Sequence, residues 1–285
     1  MDELLKGFIE SLNRRETTRD TYRKALGEYS KWLGGASPLA IESNDIQRYK
    51  DYIVSKNLSP ASMSAYLTAV RRFYVYLLSA GRIKENPASR IKGAPRPRRH
   101  LTDPISRREV EKLIYAADAS SPLGRRDGAI LNLMVRSGLS EIEIVRSNLG
   151  DLKYRGGKRV IYVQGKSRDR KDEYVVLSGP VEESLRVYLE ERGASGPDEP
   201  LFWGVGNRAV RERISTRGLR ARISRYFEIA GIKKKGITPA SLRHTAAMLA
   251  IEEGATVSEI QRMLRLGTTE SAIQYFEEAR ELTRK

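Results

Sequence analysis

Five side chains of this 285-residue chain have the types that phosphoryl transfer needs. Arg243 and His244 lie inside "SLRHTAAMLAIEEG", an apolar stretch with helical spacing that is expected to form a helix over Pro239–Glu253, capped by Thr238 and ended by Gly254. A guanidinium in such a setting requires an anion. That anion is either a carboxylate of the same chain, with Glu143 the candidate, or a bound phosphate, which the planar fork of Arg matches with two hydrogen bonds. His244 either donates to the same group or is a satisfied core histidine. Tyr275, in "TTESAIQYFEEAR", is either a core-edge residue or a nucleophile on phosphorus. The second role needs cations to stabilise the transition state of phosphotyrosyl formation. Ile273 and Phe276 are expected to pack while Tyr275 projects elsewhere. Lys166 falls in a cation-rich turn between two expected strands. It is either a solvated hairpin tip or a lysine that reaches a phosphate or donates a proton.

Charge supports a phosphate partner. Fifty-two Lys and Arg stand against 36 Asp and Glu, a formal net charge of +16. A field of that sign attracts polyanions, nucleic acid first among them. The absence of cysteine rules out disulfides and thiolate metal sites, and two histidines, His100 and His244, make a histidine-based metal centre an unexpected feature. No apolar run approaches the roughly 20 residues of a membrane span, and the charged start "MDELLKGFIESLNRRE" does not read as a signal peptide. A cytoplasmic, nucleoid-associated setting is expected.

The elements that must position these residues fall into two domains. Residues 1–83 read as four helices: Asp2–Leu12, Thr17–Leu33, Ser43–Ser55, and one opened by Ser59-Pro60 and ended by Gly81. The fourth carries the apolar stripe Leu67, Val70, Phe73, Tyr74 and Leu77, with Arg71 and Arg72 beside it. Residues 84–104, "KENPASRIKGAPRPRRHLTDP", hold four prolines and many cations and read as a linker. Its Arg96, Arg98 and Arg99 suit phosphate contacts, and a basic strap between two basic domains suits a clamp around a duplex. Residues 105–285 form the second domain. It opens with the capping box Ser106-Arg-Arg-Glu109, followed by an apolar helix at Asp127–Arg136 and a short one at Ser140–Arg146. The period then becomes alternating, with strands around Val160–Val163 and Tyr174–Leu177 and a turn at Gly165–Asp172 that contains Lys166 and Lys171. Helices return at Val181–Arg192, Thr216–Ala230 and Val257–Leu264. The expected fold is mainly α: a helical first domain, then a mostly helical second domain with a small antiparallel β-sheet.

The order of a hairpin Lys166, then "SLRHTAAMLAIEEGATVSEIQRMLRLGTTESAIQY", resembles the tyrosine recombinase (phage integrase, Xer-type) family. Its hallmark is Leu-Arg-His on a helix with the tyrosine some thirty residues later. "RSGLSEIEI" (136–144) resembles the box that opens the family's catalytic centre, and the four-helix front resembles its core-binding (SAM-like) domain. The resemblance covers nearly the whole chain. It implies a site-specific DNA recombinase that cleaves and rejoins duplex DNA through a 3′-phosphotyrosyl intermediate, without metal or nucleotide cofactor. Several copies would act together as a dimer or tetramer on DNA. Tyr275 would be the nucleophile, Arg243 the phosphate clamp, Lys166 the general acid and His244 a supporting group. Glu143 would be the acidic residue of the first box, and the end "EEARELTRK" a helix packed in a neighbouring subunit.

Three positions depart from the family pattern. Ser140 stands where the first clamp arginine is usual, Ala240 where a histidine precedes Arg243 by three, and Leu266 where a histidine or tryptophan precedes the tyrosine by nine. Ser140 has a local explanation as a capping box with Glu143. Loss of one transition-state donor slows chemistry by about 10²–10³, so cations from elsewhere are sought. Arg136 and Arg146 are candidates, although Arg146 falls about 240° around a helix from Ser140. The other readings are a recombinase-like DNA-binding protein without cleavage activity, acting as regulator or partner, and an RNA-binding or architectural protein that uses only the charge.

Overall fold

A computed structural model describes residues 2–14, 16–91, 99–165, 168–193, 196–204 and 211–283. Lys166, Arg96 and Arg98 lie outside the described residues. The chain divides into two compact units, Met1–Arg98 and Arg99–Lys285.

The first unit is built from α1 (Asp2–Ser11), α2 (Glu16–Leu33), a 3-10 turn at Pro38–Ala40, α3 (Ser43–Ser55) and α4 (Pro60–Ser79). Ser59 Oγ accepts the Ser62 N–H, and Pro60 occupies the first turn, as the sequence requires of a helix start. The stripe of α4 is fully buried with Leu26, Tyr29 and Leu33 of α2 in one core. Tyr74 donates its hydroxyl to the Pro38 carbonyl at 3.1 Å, which leaves Tyr29 as the donor to Tyr74 at 2.6 Å. The two buried phenols therefore satisfy each other in place of water. Arg71 and Arg72 lie off this stripe, Arg72 exposed and Arg71 half-buried.

The second unit begins with α5 (Arg107–Tyr115), held by the expected capping box of Ser106 and Glu109. Then come α6 (Pro122–Ser137), α7 (Glu141–Arg146), strands β1 (Leu152–Arg155), β2 (Lys158–Val163) and β3 (Glu173–Val176), and α8 (Gly179–Arg192). Helices α9 (Thr216–Ile229), α10 (Ser241–Glu252), α11 (Val257–Met263) and α12 (Thr269–Thr283) complete it. The sheet is antiparallel in the order β1-β2-β3, with Leu152 opposite Ile161 and Tyr162 opposite Tyr174. Strand β1 is an addition to the two strands expected from alternation. Only Leu152 of its four residues is even half-buried, so it carries no apolar alternation to read.

Helix α6 is the core of this unit, buried from Ala129 through Val135 on every face and packed by α8 and α10. Such a helix shows no single apolar stripe. Its one buried carboxylate, Asp127, accepts from Arg126 Nε at 2.8 Å, Arg222 Nε at 2.9 Å and the Tyr226 hydroxyl at 2.9 Å, which ties α6 to α9.

Two expectations about the start of helix α10 are corrected. Helix α10 starts at Ser241, not Pro239. Thr238 does not cap it: the Ser241 hydroxyl accepts the Thr238 N–H at 3.0 Å, and residues 238–240 form the turn before the helix. The C-terminal stretch through Thr283 continues α12 as one helix, and its Glu278 and Glu281 bond His100 and Arg99 of the same unit.

Replacing Asp127 by Ala strands two guanidiniums against the core. Removing one partner of a buried ionic group destabilises by about 3–5 kcal/mol. The Asp127→Ala variant should show that loss as a lower denaturant midpoint.

Candidate active site

The site is organised by Glu143, whose side chain is 3% exposed. It sits at the third position of α7, where a capping box needs a carboxylate. Its Oε2 accepts the Ser140 N–H and the Ser140 hydroxyl, each at 2.7 Å. Ser140 thus serves the helix start, and two arginines from distant segments converge on the same carboxylate. Arg265 donates Nε to Oε1 at 2.6 Å and Nη2 to Oε2 at 2.7 Å. Arg243 donates Nη1 to Oε2 at 3.0 Å.

Backbone carbonyls complete the pocket around the two guanidiniums. Gly138 O accepts from Arg243 Nη1 at 2.8 Å and from Arg265 Nη2 at 3.0 Å. Leu264 O accepts from Arg243 and Met263 O from Arg265, so the negative end of α11 faces both cations. Gly138 ends α6 in a left-handed conformation, φ +63°, and a Cβ there would stand 2.7 Å from Leu264 Cδ2. The left-handed backbone and the close Leu264 side chain both favour glycine where α6 ends against α11.

Burial pushes the Glu143 carboxyl up, but the hydrogen bond and charge of Arg265, then the charge of Arg243, hold it below its ordinary value. Desolvation pulls the Arg243 guanidinium down, opposed by Glu143 and reinforced by the neighbouring charge of Arg265.

Tyr275 lies in α12, on the next layer. Its side chain is not directed away from the core, as the sequence suggested: Tyr275 is 7% exposed, and Ile273 is the exposed residue at 41%. Tyr275 packs with Ala247, Met248, Ile260, Leu264 and Ala272. Burial raises its phenol above the ordinary value, Arg243 lowers it and Glu278 raises it further. The His100 ring stacks on Tyr275 with centroids 4.0 Å apart, and the His244 ring meets it edge-on at 5.4 Å.

Both histidines of the chain therefore face the phenol. His244 Nδ1 lies 2.6 Å from the Thr102 carbonyl, which can only accept, so the neutral ring carries its proton on Nδ1. Its Nε2 lies 3.0 Å from Glu278 Oε2 without hydrogen-bond geometry. Burial lowers the His244 pKa. His100 Nδ1 and Glu278 Oε1 are 2.9 Å apart. His100, His244 and Glu278 place potential metal ligands within 4.8 Å of one another. Glu278 Oε1 is already paired with His100. The trio reads as a brace for Tyr275.

The remaining residues singled out in the sequence take other places. Gly165, just before Lys166, stands beside Glu143: a Cβ there would lie 4.0 Å from Oε1. Arg146 donates to the Gly165 carbonyl at 2.7 Å and so braces that hairpin. Arg136 is exposed and donates to Asn132 at 2.9 Å. Lys171 pairs with Asp151 across the hairpin, and Arg99 pairs with Glu281. Ala240 is exposed and Leu266 packs against the Tyr275 cluster. The cation beside Arg243 is Arg265, which sequence reasoning missed. Its one sequence signal is an arginine directly after α11, where a helix commonly ends on glycine.

Comparison with known proteins gives one family. The pattern described as "Phage integrase family" matches residues 104–281, and "Phage integrase, N-terminal SAM-like domain" matches residues 2–81. The tyrosine recombinase XerD of Lacticaseibacillus casei is 29% identical over 277 residues, covering 93% of this chain and 90% of the relative. The tyrosine recombinase XerC of Thermodesulfovibrio yellowstonii is 31% identical, covering 87% and 81%. Among solved structures, XerA recombinase matches with a TM-score of 0.51 at 25% identity, covering 96% of this chain and 93% of that one. XerH recombinase bound to a palindromic difH substrate matches with a TM-score of 0.76 at 18% identity, covering 93% and 77%.

The depressed pKa of Glu143 sets a pH dependence. A carboxylate more acidic when folded stabilises the fold above its ordinary pKa of 4.5, and that contribution is lost as pH falls through the folded value. At pH 7, Glu143→Gln should be destabilised by about 3–5 kcal/mol. Melting curves taken at decreasing pH should show the gap to wild type closing below pH 4.5.

Proposed function

The chain belongs to the phage integrase family, and we propose that it is a site-specific DNA recombinase that cleaves and rejoins duplex DNA through a 3′-phosphotyrosyl intermediate. The observation that carries this reading is the convergence of Arg243 and Glu143, with Tyr275 within reach of the Arg243 charge and in ring contact with His244, in a chain of net charge +16.

In this mechanism a scissile phosphate docks on Arg243, which neutralises charge on its non-bridging oxygens as the transition state forms. Tyr275 gives its phenolic proton to water and its oxygen attacks phosphorus. The P–O5′ bond breaks, and the departing 5′ oxygen takes a proton, for which Lys166 is the proposed donor. The 3′ end stays esterified to Tyr275, so bond energy is conserved and a 5′-hydroxyl from another duplex can reverse the reaction. His244 positions the tyrosine through ring contact. Glu143 holds Arg243. Arg71, Arg72, Arg96, Arg98, Arg99 and Lys171 are proposed contacts to the flanking backbone, although Arg99 and Lys171 must first exchange a carboxylate for a phosphate. Lambda integrase, which shares the fold, has been crystallised as a dimer bound to a core site and as a tetramer bound to a Holliday junction, which supports DNA and further copies of this chain as partners.

The test uses a nicked suicide duplex carrying a candidate site and a denaturing gel. Wild type should form a covalent protein–DNA adduct. Tyr275→Phe should form none while still shifting the duplex in a native gel. Arg243→Ala should slow the adduct about 10²–10³-fold, the usual consequence of losing one transition-state donor. Duplex binding with no adduct from wild type would overturn the recombinase reading in favour of a non-catalytic DNA-binding protein.

A further inference from the structure

Glu143 raises an electrostatic problem for a site that must hold an anion. Had Arg243 been its only partner, carboxylate and guanidinium would cancel, and a phosphate would have to compete with Glu143 for the same cation. The geometry points to a solution: we propose that Arg265 is the positioning residue that neutralises Glu143, leaving the charge of Arg243 uncompensated for the phosphate. This rests on the reading of Arg243 as a phosphate clamp.

Three observations carry it. First, Arg265 meets Glu143 side-on with two bonds of 2.6 and 2.7 Å, while Arg243 makes one of 3.0 Å. The two-point fork is the stronger pairing. Second, the exposures divide the roles. The Arg265 side chain is 4% exposed and its bonds go inward to Glu143, Gly138 and Met263, whereas Arg243 is 20% exposed. An incoming anion reaches Arg243 and not Arg265. Two guanidiniums against one carboxylate leave the cluster with one positive charge, on the accessible member.

Third, the backbone accepts strain to place Arg265. Leu264 caps α11, and the bonds Arg265 N to Arg262 O at 3.0 Å and Leu266 N to Gln261 O at 2.9 Å close a Schellman ending. That ending puts Arg265 at φ +51°. Glycine usually fills this position, because a side chain there costs roughly 1–2 kcal/mol. Arginine is retained where the backbone favours glycine, and its side chain is spent on Glu143. The position formally lacking a cation, Ser140, belongs to the α7 cap. The second guanidinium enters instead from the end of α11.

The test compares wild type, Arg265→Met and the double variant Arg265→Met/Glu143→Gln, with Arg265→Gln as the single variant should the methionine fail to fold. Two readouts are taken well below the melting temperature or as its shift: single-turnover adduct rate per folded protein on the suicide duplex, and the Tm gain from inorganic phosphate at constant ionic strength. With Arg265 removed, Glu143 claims Arg243. The single variant should lose about 10²-fold in rate and the phosphate-dependent Tm gain. Removing the carboxylate as well frees Arg243, and the double variant should recover at least about ten-fold of that rate and regain the Tm shift. A merely structural role predicts a lower Tm with unchanged rate per folded molecule, and that result overturns the proposal. So does a folded double variant as slow as the single one, which would mean that the Arg265 guanidinium itself is required. Should wild type form no adduct on any duplex, the recombinase reading fails, and the phosphate shift alone decides: present in wild type and absent in the single variant supports the pairing, and any other pattern overturns it.

Discussion

The buried carboxylate of Glu143 is the constraint around which the helix ends of the second unit are arranged. It accepts hydrogen bonds from the start of α7, from α10 and from the residue that ends α11, while Gly138, at the end of α6, offers its carbonyl to the same two arginines. Four helix termini are thereby registered against one another by Glu143 and the two arginines it holds. A buried charge of this kind is tolerated only when its partners are fixed. The Gly138 turn, the Ser140 cap and the left-handed Arg265 all follow from that requirement.

Much of this was legible in the sequence because it is local. Ser43–Ser55 is found as expected, and the capping boxes at Ser106 and Ser140 are written in four consecutive residues each. The pairing of Ser140 with Glu143 explains why the usual arginine is missing without reference to any other part of the chain. The Leu-Arg-His order and the spacing to Tyr275 were enough to indicate the family. Four-helix packing of the first unit follows from the stripes on α2 and α4, since those residues repeat at the helical period.

What escaped the sequence is non-local or depends on phase. Arg265 is 122 positions from Glu143, and nothing in "MLRLG" reveals that a strained turn will aim its guanidinium inward. Tyr275 and Ile273 differ by two positions on one helix, nearly opposite faces; an amphipathic pattern with Phe276 partly buried does not decide which of them faces in. His100 sits in a segment that reads as linker, because prolines and cations dominate it. The histidine stacks on the tyrosine ring all the same, for reasons that lie in α12 and not in its own neighbours.

That stacking has a consequence for where the second unit begins. The family pattern starts at residue 104, yet the ring face of Tyr275, the proton position on His244 and the partner of Glu278 are supplied by His100 and Thr102. A fragment cut at residue 105 would keep α5 to α12 and expose one face of its tyrosine to solvent. The few residues before the recognisable domain form one wall around Tyr275, and His100 and Thr102 belong to the packing of the second unit.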